Sequence, residues 1–192
     1  MGRPREFDTD FALERAMDTF WNYGFEAASL DRLCLSMGIA RSSLYQAFGD
    51  KHALLLAAMD HYDARVKGKI EFVFGQDRPF RETLREFLNA LVDESTGADR
   101  RGCLLGNVAG ELSPRDAIAT RRLRQSMRRL ESTFANILRD AQCRGELDAD
   151  RDPIAAARYL VSAIQGLRIV AKTAPEPPAL QDVINEIVLS LR

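Results

Sequence analysis

One short helical stretch concentrates residues suited to meeting a polar partner: Arg41, Ser42, Ser43, Tyr45 and Gln46, with Lys51 just beyond. Serine permits close approach, arginine and glutamine reach the donor and acceptor edges of bases, and tyrosine and lysine suit phosphate. A helix beginning at Lys51-His52 would add the anion-binding amides of its first turn. The same short, neutral residues would also serve on a merely solvated helix face, and spacing alone leaves both readings open. A second candidate is Cys103 in Arg101-Gly102-Cys103-Leu104-Leu105, at a helix start where amide dipoles favour a thiolate. Asn107 and Glu111 follow at i+4 and i+8, so the three are expected to share a face and line a small-molecule pocket. The alternatives are a buried small hydrophobe for Cys103 and solvated or helix-capping roles for the other two.

Catalysis has little to work with. The three cysteines (Cys34, Cys103, Cys143) and two histidines (His52, His61) form no C-x-x-C or H-x-x-x-H spacing. Glycine-rich phosphate loops and nucleophile–base motifs are also missing. The expectation is a protein that is not an enzyme and uses no metal and no cofactor. Its 192 residues carry 27 basic and 28 acidic side chains, a net charge of −1, which excludes a globally basic nucleic-acid coat. Odd, scattered cysteines read as reduced thiols rather than a disulfide framework. The first residues lack the apolar core of a secretory signal, and no stretch reaches the ~18 uncharged apolar residues of a membrane span. A cytoplasmic protein with no membrane partner is therefore expected.

The elements that would position these residues are helical throughout, about nine in all, so the expected fold class is all-α. Leu13, Ala16, Met17, Phe20 and Trp21 share one face of a first helix that Gly24 should stop. Ser29 caps a second, with Leu30, Leu33, Cys34 and Met37 inward, and Gly38 breaks it. Ala40 to Phe48 forms a third with Leu44 and Phe48 inward, and Asp50 caps a long fourth carrying Leu55, Met59, Tyr62 and Val66. Residues 75–79 read as a connector before a helix that buries Phe80, Leu84, Phe87, Leu88 and Leu91. After a polar stretch at 95–102, a short helix covers Cys103 to Leu112. Ser113-Pro114 and Asp152-Pro153 each read as a cap followed by proline at the first helical position. The arginines Arg121, Arg122, Arg124, Arg128 and Arg129 lie off their helix's apolar face and read as a solvated, partly ion-paired surface.

The last two helices differ in kind. From Ile154 to Ala171 nearly every side is apolar or small, and Gly166 sits mid-helix at a cost of about 1 kcal/mol relative to alanine. A close helix contact over Ser162 and Gly166 would offset that cost. The final helix carries Leu180, Val183, Ile184, Ile187, Val188 and Leu191 in one stripe. A helix apolar all round needs more cover than this chain easily supplies, so Val161, Gly166, Val183, Ile184, Ile187 and Leu191 are read as a subunit interface. A wholly internal core helix is the alternative.

Three short helices with a glycine between the second and third have the layout of a helix-turn-helix. The pieces Ala16-Met17-x-x-Phe20-x-x-x-Gly24-Phe25, Ala28-Ser29-Leu30, Met37-Gly38-Ile39-Ala40, Ser43-Leu44-Tyr45-x-x-Phe48 and Lys51-x-x-Leu54 together resemble the DNA-binding domain of the TetR (tetracycline-repressor)/AcrR family of bacterial transcriptional regulators. The resemblance covers Ala12 to Met59. It implies a recognition helix at Ala40 to Phe48, with Arg41, Ser42, Ser43 and Tyr45 meeting DNA. It also implies phosphate contacts from Ser29, which caps the second helix, and from Lys51. Cys34-Leu35-Ser36 departs from the usual small, alanine-rich stretch and reads as packing variation.

The resemblance further implies a head at residues 1–52 and a helical body at 53–192 that dimerises through its last two helices. In the family, the body holds a small-molecule pocket among its middle helices. The expected function is a homodimeric repressor, released from a palindromic double-stranded operator by a small-molecule inducer. The Gly-Cys-Leu-Leu segment around Cys103 is similar to that of family members that sense electrophiles or oxidants. Residues 1–52 carry six basic against eight acidic side chains, so DNA affinity must come from local placement. Five of those acids (Glu6, Asp8, Asp10, Glu14, Asp18) cluster on the arm and first helix, away from the expected DNA face. Gly2-Arg3-Pro4-Arg5 is expected to be a mobile arm whose Arg3 and Arg5 enter the minor groove.

Overall fold

The computed structural model describes residues 7–96, 100–113, 115–173 and 175–191. The expected contacts of Arg3 and Arg5 lie outside these residues. Among the described residues there are nine α-helices and no strand: α1 (Thr9–Ala27), α2 (Leu30–Met37), α3 (Arg41–Phe48), α4 (Lys51–Phe74), α5 (Phe80–Thr96), α6 (Leu104–Leu112), α7 (Ala117–Cys143), α8 (Pro153–Ala171) and α9 (Pro177–Ser190).

The caps explain most of the boundaries. Asp8, Ser29, Asp50 and Asp152 each accept a first-turn amide of the helix that follows. Gly38 closes α2 in the left-handed region at φ 66°. Gly24, at φ 76° and ψ 176°, interrupts α1 rather than ending it, and one further turn runs on to Ala27. α7 departs from expectation. Ser113 is the C-cap of α6, its amide bonded to the Ala109 carbonyl, and its hydroxyl lies 2.6 Å from that of Thr120. The helix begins instead after Asp116, whose carboxylate accepts from Ile118 and Ala119. An ionised cap satisfying two amides outcompetes the Ser-Pro signal three residues earlier.

Burial divides the molecule into two hydrophobic cores. One joins α1, α2, α3 and the first half of α4 to α6 and the start of α7, around Met17, Phe20, Leu44, Leu55, Met59 and Leu104. The other joins the end of α4 to α5, the rest of α7, α8 and α9, around Phe80, Leu88, Phe134, Leu160 and Ile184. Val66, Met127 and Leu130 pack against both. The first core therefore runs past residue 52, the boundary expected from the resemblance.

α8 alone among the described helices has the length and composition to cross a membrane. It is accounted for as a core helix: Ala156, Ala157, Leu160, Ile164, Leu167 and Ala171 are buried against the rest of the protomer. The interface expectation needs correction at four positions. Val161, Ile184, Ile187 and Leu191 are buried inside the protomer's own core, at 6%, 0%, 2% and 0% exposure. Gly166 and Val183 are exposed, and a Cβ at Gly166 would meet nothing within 4 Å. The exposed apolar side chains of these helices are Ile154, Tyr159, Ile169, Val170, Val183 and Leu189.

Candidate nucleic-acid interface and cavity

α3 is held by Leu44, fully buried in the first core, with Phe48 half-buried behind it. That anchoring turns Arg41, Ser42, Tyr45 and Gln46 to the exposed side, while Ser43 is half-buried. Tyr45 is 47% exposed, presenting its ring and hydroxyl to solvent. Arg41 reaches back to α2 and pairs with Asp31 at 2.8 Å; both side chains are open to solvent, so the pair is weak and exchangeable. Ser29 uses its hydroxyl as a cap, accepting from the Arg32 amide at 3.2 Å. Lys51 is half-buried: its ammonium donates to the Glu26 carbonyl at 3.2 Å and lies over the Phe25 ring. Ser29 and Lys51 thus both sit near the end of α1.

Two of the acidic residues of α1 are occupied by partners in the body, which removes part of the unfavourable charge count. Glu14 pairs with His61 and Arg65, and Asp18 with Arg101 at 2.7 Å. The stretch at Cys34-Leu35-Ser36 serves packing at two of its three positions. Cys34 is half-buried, and burial raises its thiol above the ordinary value. Ser36 donates to the Arg15 carbonyl at 3.2 Å, whereas Leu35 is 86% exposed.

The three residues expected to line a pocket fall in different places. Cys103 is buried at the N-cap of α6, and the Tyr62 hydroxyl donates to its sulfur across 3.7 Å. Burial, with the neighbouring thiol, holds the Tyr62 phenol well above its usual range, so it remains a neutral donor. Asn107 bridges the Arg101 carbonyl and the Lys172 ammonium. Glu111 faces the head: its carboxylate accepts from the Phe25 and Glu26 amides, both at 2.8 Å. Those amides are presented by the break at Gly24, where a Cβ would stand 2.8 Å from the carboxylate. The three thus meet three different sets of neighbours, Tyr62, Arg101 with Lys172, and the Phe25 and Glu26 amides.

A cavity of about 300 Å3 opens beside the Arg101-Gly102 segment that precedes α6, and Cys103, Asn107 and Glu111 are not among its lining residues. Its apolar wall is Trp21, Tyr62, Val66, Ile70, Phe87 and Leu91, and its polar wall is Arg65, Lys69, Glu94, Arg101, Gly102 and Arg168. Trp21 and Tyr62 belong with the first core, and Ile70, Phe87 and Leu91 belong to the second, so the cavity lies at their seam. Sequence reading missed this polar wall. Its one visible signal was Arg168, a charge in the largely apolar second half of α8.

The head is tied to the body near this seam. Trp21 donates its indole N–H to the Arg101 carbonyl at 3.2 Å, and the Arg101 guanidinium lies 4.5 Å from the ring centroid. His52, in the first turn of α4, meets Asp116 at the start of α7 at 2.6 Å. The Ala119 amide, then His52, hold the Asp116 carboxyl below its ordinary value.

Comparisons with known proteins agree with this architecture. Residues 12–58 match the family model "Bacterial regulatory proteins, tetR family", and residues 81–187 match "Tetracyclin repressor-like, C-terminal domain". An uncharacterized HTH-type transcriptional regulator of Bacillus subtilis strain 168, YezE, is 35% identical over 190 residues, covering 96% of each chain. The HTH-type transcriptional repressor ComR of Escherichia coli K12 is 33% identical over 89% of this chain and 82% of its own. Among solved structures, the TetR family regulator CifR, complexed with 26-base-pair operator DNA, superposes with a TM-score of 0.84. It is 32% identical to this chain and covers 99% of it and 100% of CifR. The chain belongs to the TetR family and is a DNA-binding transcriptional regulator rather than an enzyme.

Proposed function

We propose that this protein is a cytoplasmic, homodimeric repressor that binds a palindromic operator through α3 and is released by a small molecule entering the cavity beside Arg101-Gly102. The observation that carries the reading is the cavity's position between two separately packed cores. One core holds the DNA-reading helix and the other holds α8 and α9. A ligand wedged at their seam changes how one core seats on the other, and α4 transmits the change because it contributes to both. The coupling need be only ~1–3 kcal/mol to alter operator affinity by one or two orders of magnitude.

On this reading Arg41 exchanges Asp31 for DNA, Tyr45, Ser42 and Gln46 meet the groove or its phosphates, and Ser29 and Lys51 hold the backbone near the end of α1. Ser43, half-buried, contributes through its backbone position. Arg3 and Arg5 are proposed minor-groove contacts. The dimer forms through the face bearing Ser162, Gly166, Ile169, Val170, Val183 and Leu189. These residues are exposed or half-exposed, and the small pair on α8 permits close approach of a second copy. Cys103 contributes by holding Tyr62 at the cavity wall.

The test is fluorescence anisotropy with DNA from upstream of the protein's own gene, at two salt concentrations, against scrambled competitor. Tight binding that resists competitor and weakens with salt is expected. Equal affinity for both DNAs, with every upstream fragment tried, would overturn the operator reading.

A further inference from the structure

The charges of the described residues around the cavity do not balance. Among the described residues, four cationic side chains line it, Arg65, Lys69, Arg101 and Arg168, against the carboxylate of Glu94. Arg65 and Arg101 are neutralised from outside the cavity, by Glu14 and Asp18. Lys69 and Arg168 must share Glu94, which is hydrogen-bonded to Lys69 and stands 3.8 Å from Arg168, beyond hydrogen-bond reach. Arg168 is 7% exposed and donates to the Gly102 carbonyl, yet its Nε has no hydrogen-bond partner among the described residues. A guanidinium this buried is costly unless an anion is hydrogen-bonded to it. The opposite wall, Trp21, Val66, Phe87 and Leu91, is apolar and gains nothing from a small inorganic ion.

We infer that the cavity takes a small organic anion whose carboxylate is held by Arg168 and Lys69 in exchange for Glu94, with its carbon skeleton against Trp21 and Phe87. The volume holds roughly ten waters' worth of liquid, enough for a short acyl chain or one aromatic ring. Arginine presents a planar fork that matches a carboxylate, and lysine adds a mobile point charge. When the ligand's carboxylate replaces Glu94, the end of α5 loses its tie to α4 and α8, which gives the anion a direct mechanical effect at the seam. This assignment rests on the cavity being the effector site, and the two are separable by experiment.

Trp21 is the only tryptophan of the chain, so its emission reports occupancy of the cavity directly. The full-length protein is titrated with acetate, hexanoate, benzoate and phenylacetate, and with benzamide, benzylamine and inorganic phosphate as controls. Calorimetry provides a second readout. At least one carboxylate should bind saturably, at least tenfold tighter than the neutral, cationic and inorganic controls. Lys69→Met should weaken that binding by about tenfold, the loss of one charge-assisted hydrogen bond. Lys69 is 41% exposed, so this variant keeps the fold even where Arg168→Met does not.

Benzamide or phosphate binding as tightly as the carboxylates, carboxylate binding unchanged in Lys69→Met, or no carboxylate binding at all would each overturn the assignment. Operator DNA in the same titration separates the two readings. A carboxylate that binds without loosening DNA leaves the anion site standing and removes its role as effector site. Release of DNA by a neutral ligand that perturbs Trp21 does the reverse.

Discussion

Glu111 offers the sharpest test of how head and body are joined. Its carboxylate accepts the Phe25 and Glu26 amides, each at 2.8 Å, just past the break at Gly24. A hydrogen bond to a charged group contributes about 1.5–3 kcal/mol. The Glu26 amide is exposed and recovers most of its loss by binding water, whereas the Phe25 amide is partly buried and does not. Glu111→Ala should therefore cost ~2 kcal/mol in urea unfolding, a melting-temperature drop of about 4–8 °C for a chain of this size. Glu111→Gln keeps one acceptor oxygen and should lose about half as much. Gly24→Ala is independently strained, because φ 76° with ψ 176° is a region for glycine and the new Cβ would meet the carboxylate. Since that clash already displaces the carboxylate, Glu111→Ala should cost less in the Gly24→Ala background than alone. A Glu111→Ala protein within ~0.5 kcal/mol of wild type, or strict additivity of the two changes, would refute the proposed clamp.

Four further outcomes are expected. Tyr45→Ala should weaken operator binding about five- to tenfold by anisotropy, the loss of one phosphate or base contact, while size-exclusion chromatography shows an unaltered dimer; unchanged affinity would remove Tyr45 from the interface. Ile169→Asp, on an exposed face of α8, should leave a folded monomer, weakening dimerisation about thirtyfold or more (~2 kcal/mol) in sedimentation. Ile184→Asp, fully buried, should instead abolish cooperative unfolding, and a folded monomer there would contradict its place in the core. Asp116→Ala removes the cap of α7 and should cost ~1 kcal/mol at neutral pH. Because the folded carboxyl is held below its ordinary value, Asp116's contribution is complete above about pH 4 and fades as pH falls further towards its folded pKa. A gap between wild type and variant that is still full at about pH 2.5 would refute the assignment.

Much of the fold was legible because its signals are local. Ser29, Asp50 and Asp152 each satisfy amides within three residues, and Gly38 needs only its own φ, so the helix-turn-helix could be laid out residue by residue. The start of α7 was harder, since Ser113 and Asp116 are both good caps, and the Asp116 carboxylate prevails by satisfying two amides while Ser113 closes α6. Five of the six residues expected in one stripe on α9 do face the same way, into the protomer's own core rather than a second copy, and Val183 does not. Periodicity reports which residues face together, and Ile184 and Val183 are adjacent in sequence with opposite fates. The cavity was least legible. Its wall draws Trp21, Lys69, Glu94 and Arg168 from four helices, and no spacing rule connects them.

The two-core arrangement limits how this protein can be recombined. A piece ending at residue 52 would carry Met17, Phe20, Leu33 and Leu44 but leave behind Leu54, Leu55, Met59, Leu104, Leu105 and Val108, which close the same core. The DNA reader is thus not a cassette that can be cut from one chain and transplanted onto another at the helix-turn-helix boundary. A working graft has to bring α6 and the opening of α7 with it, segments about fifty residues or more downstream of that boundary. The helices that present α3 travel with Trp21 and Tyr62, which that core shares with the cavity wall, so a graft of the reader carries part of the cavity with it.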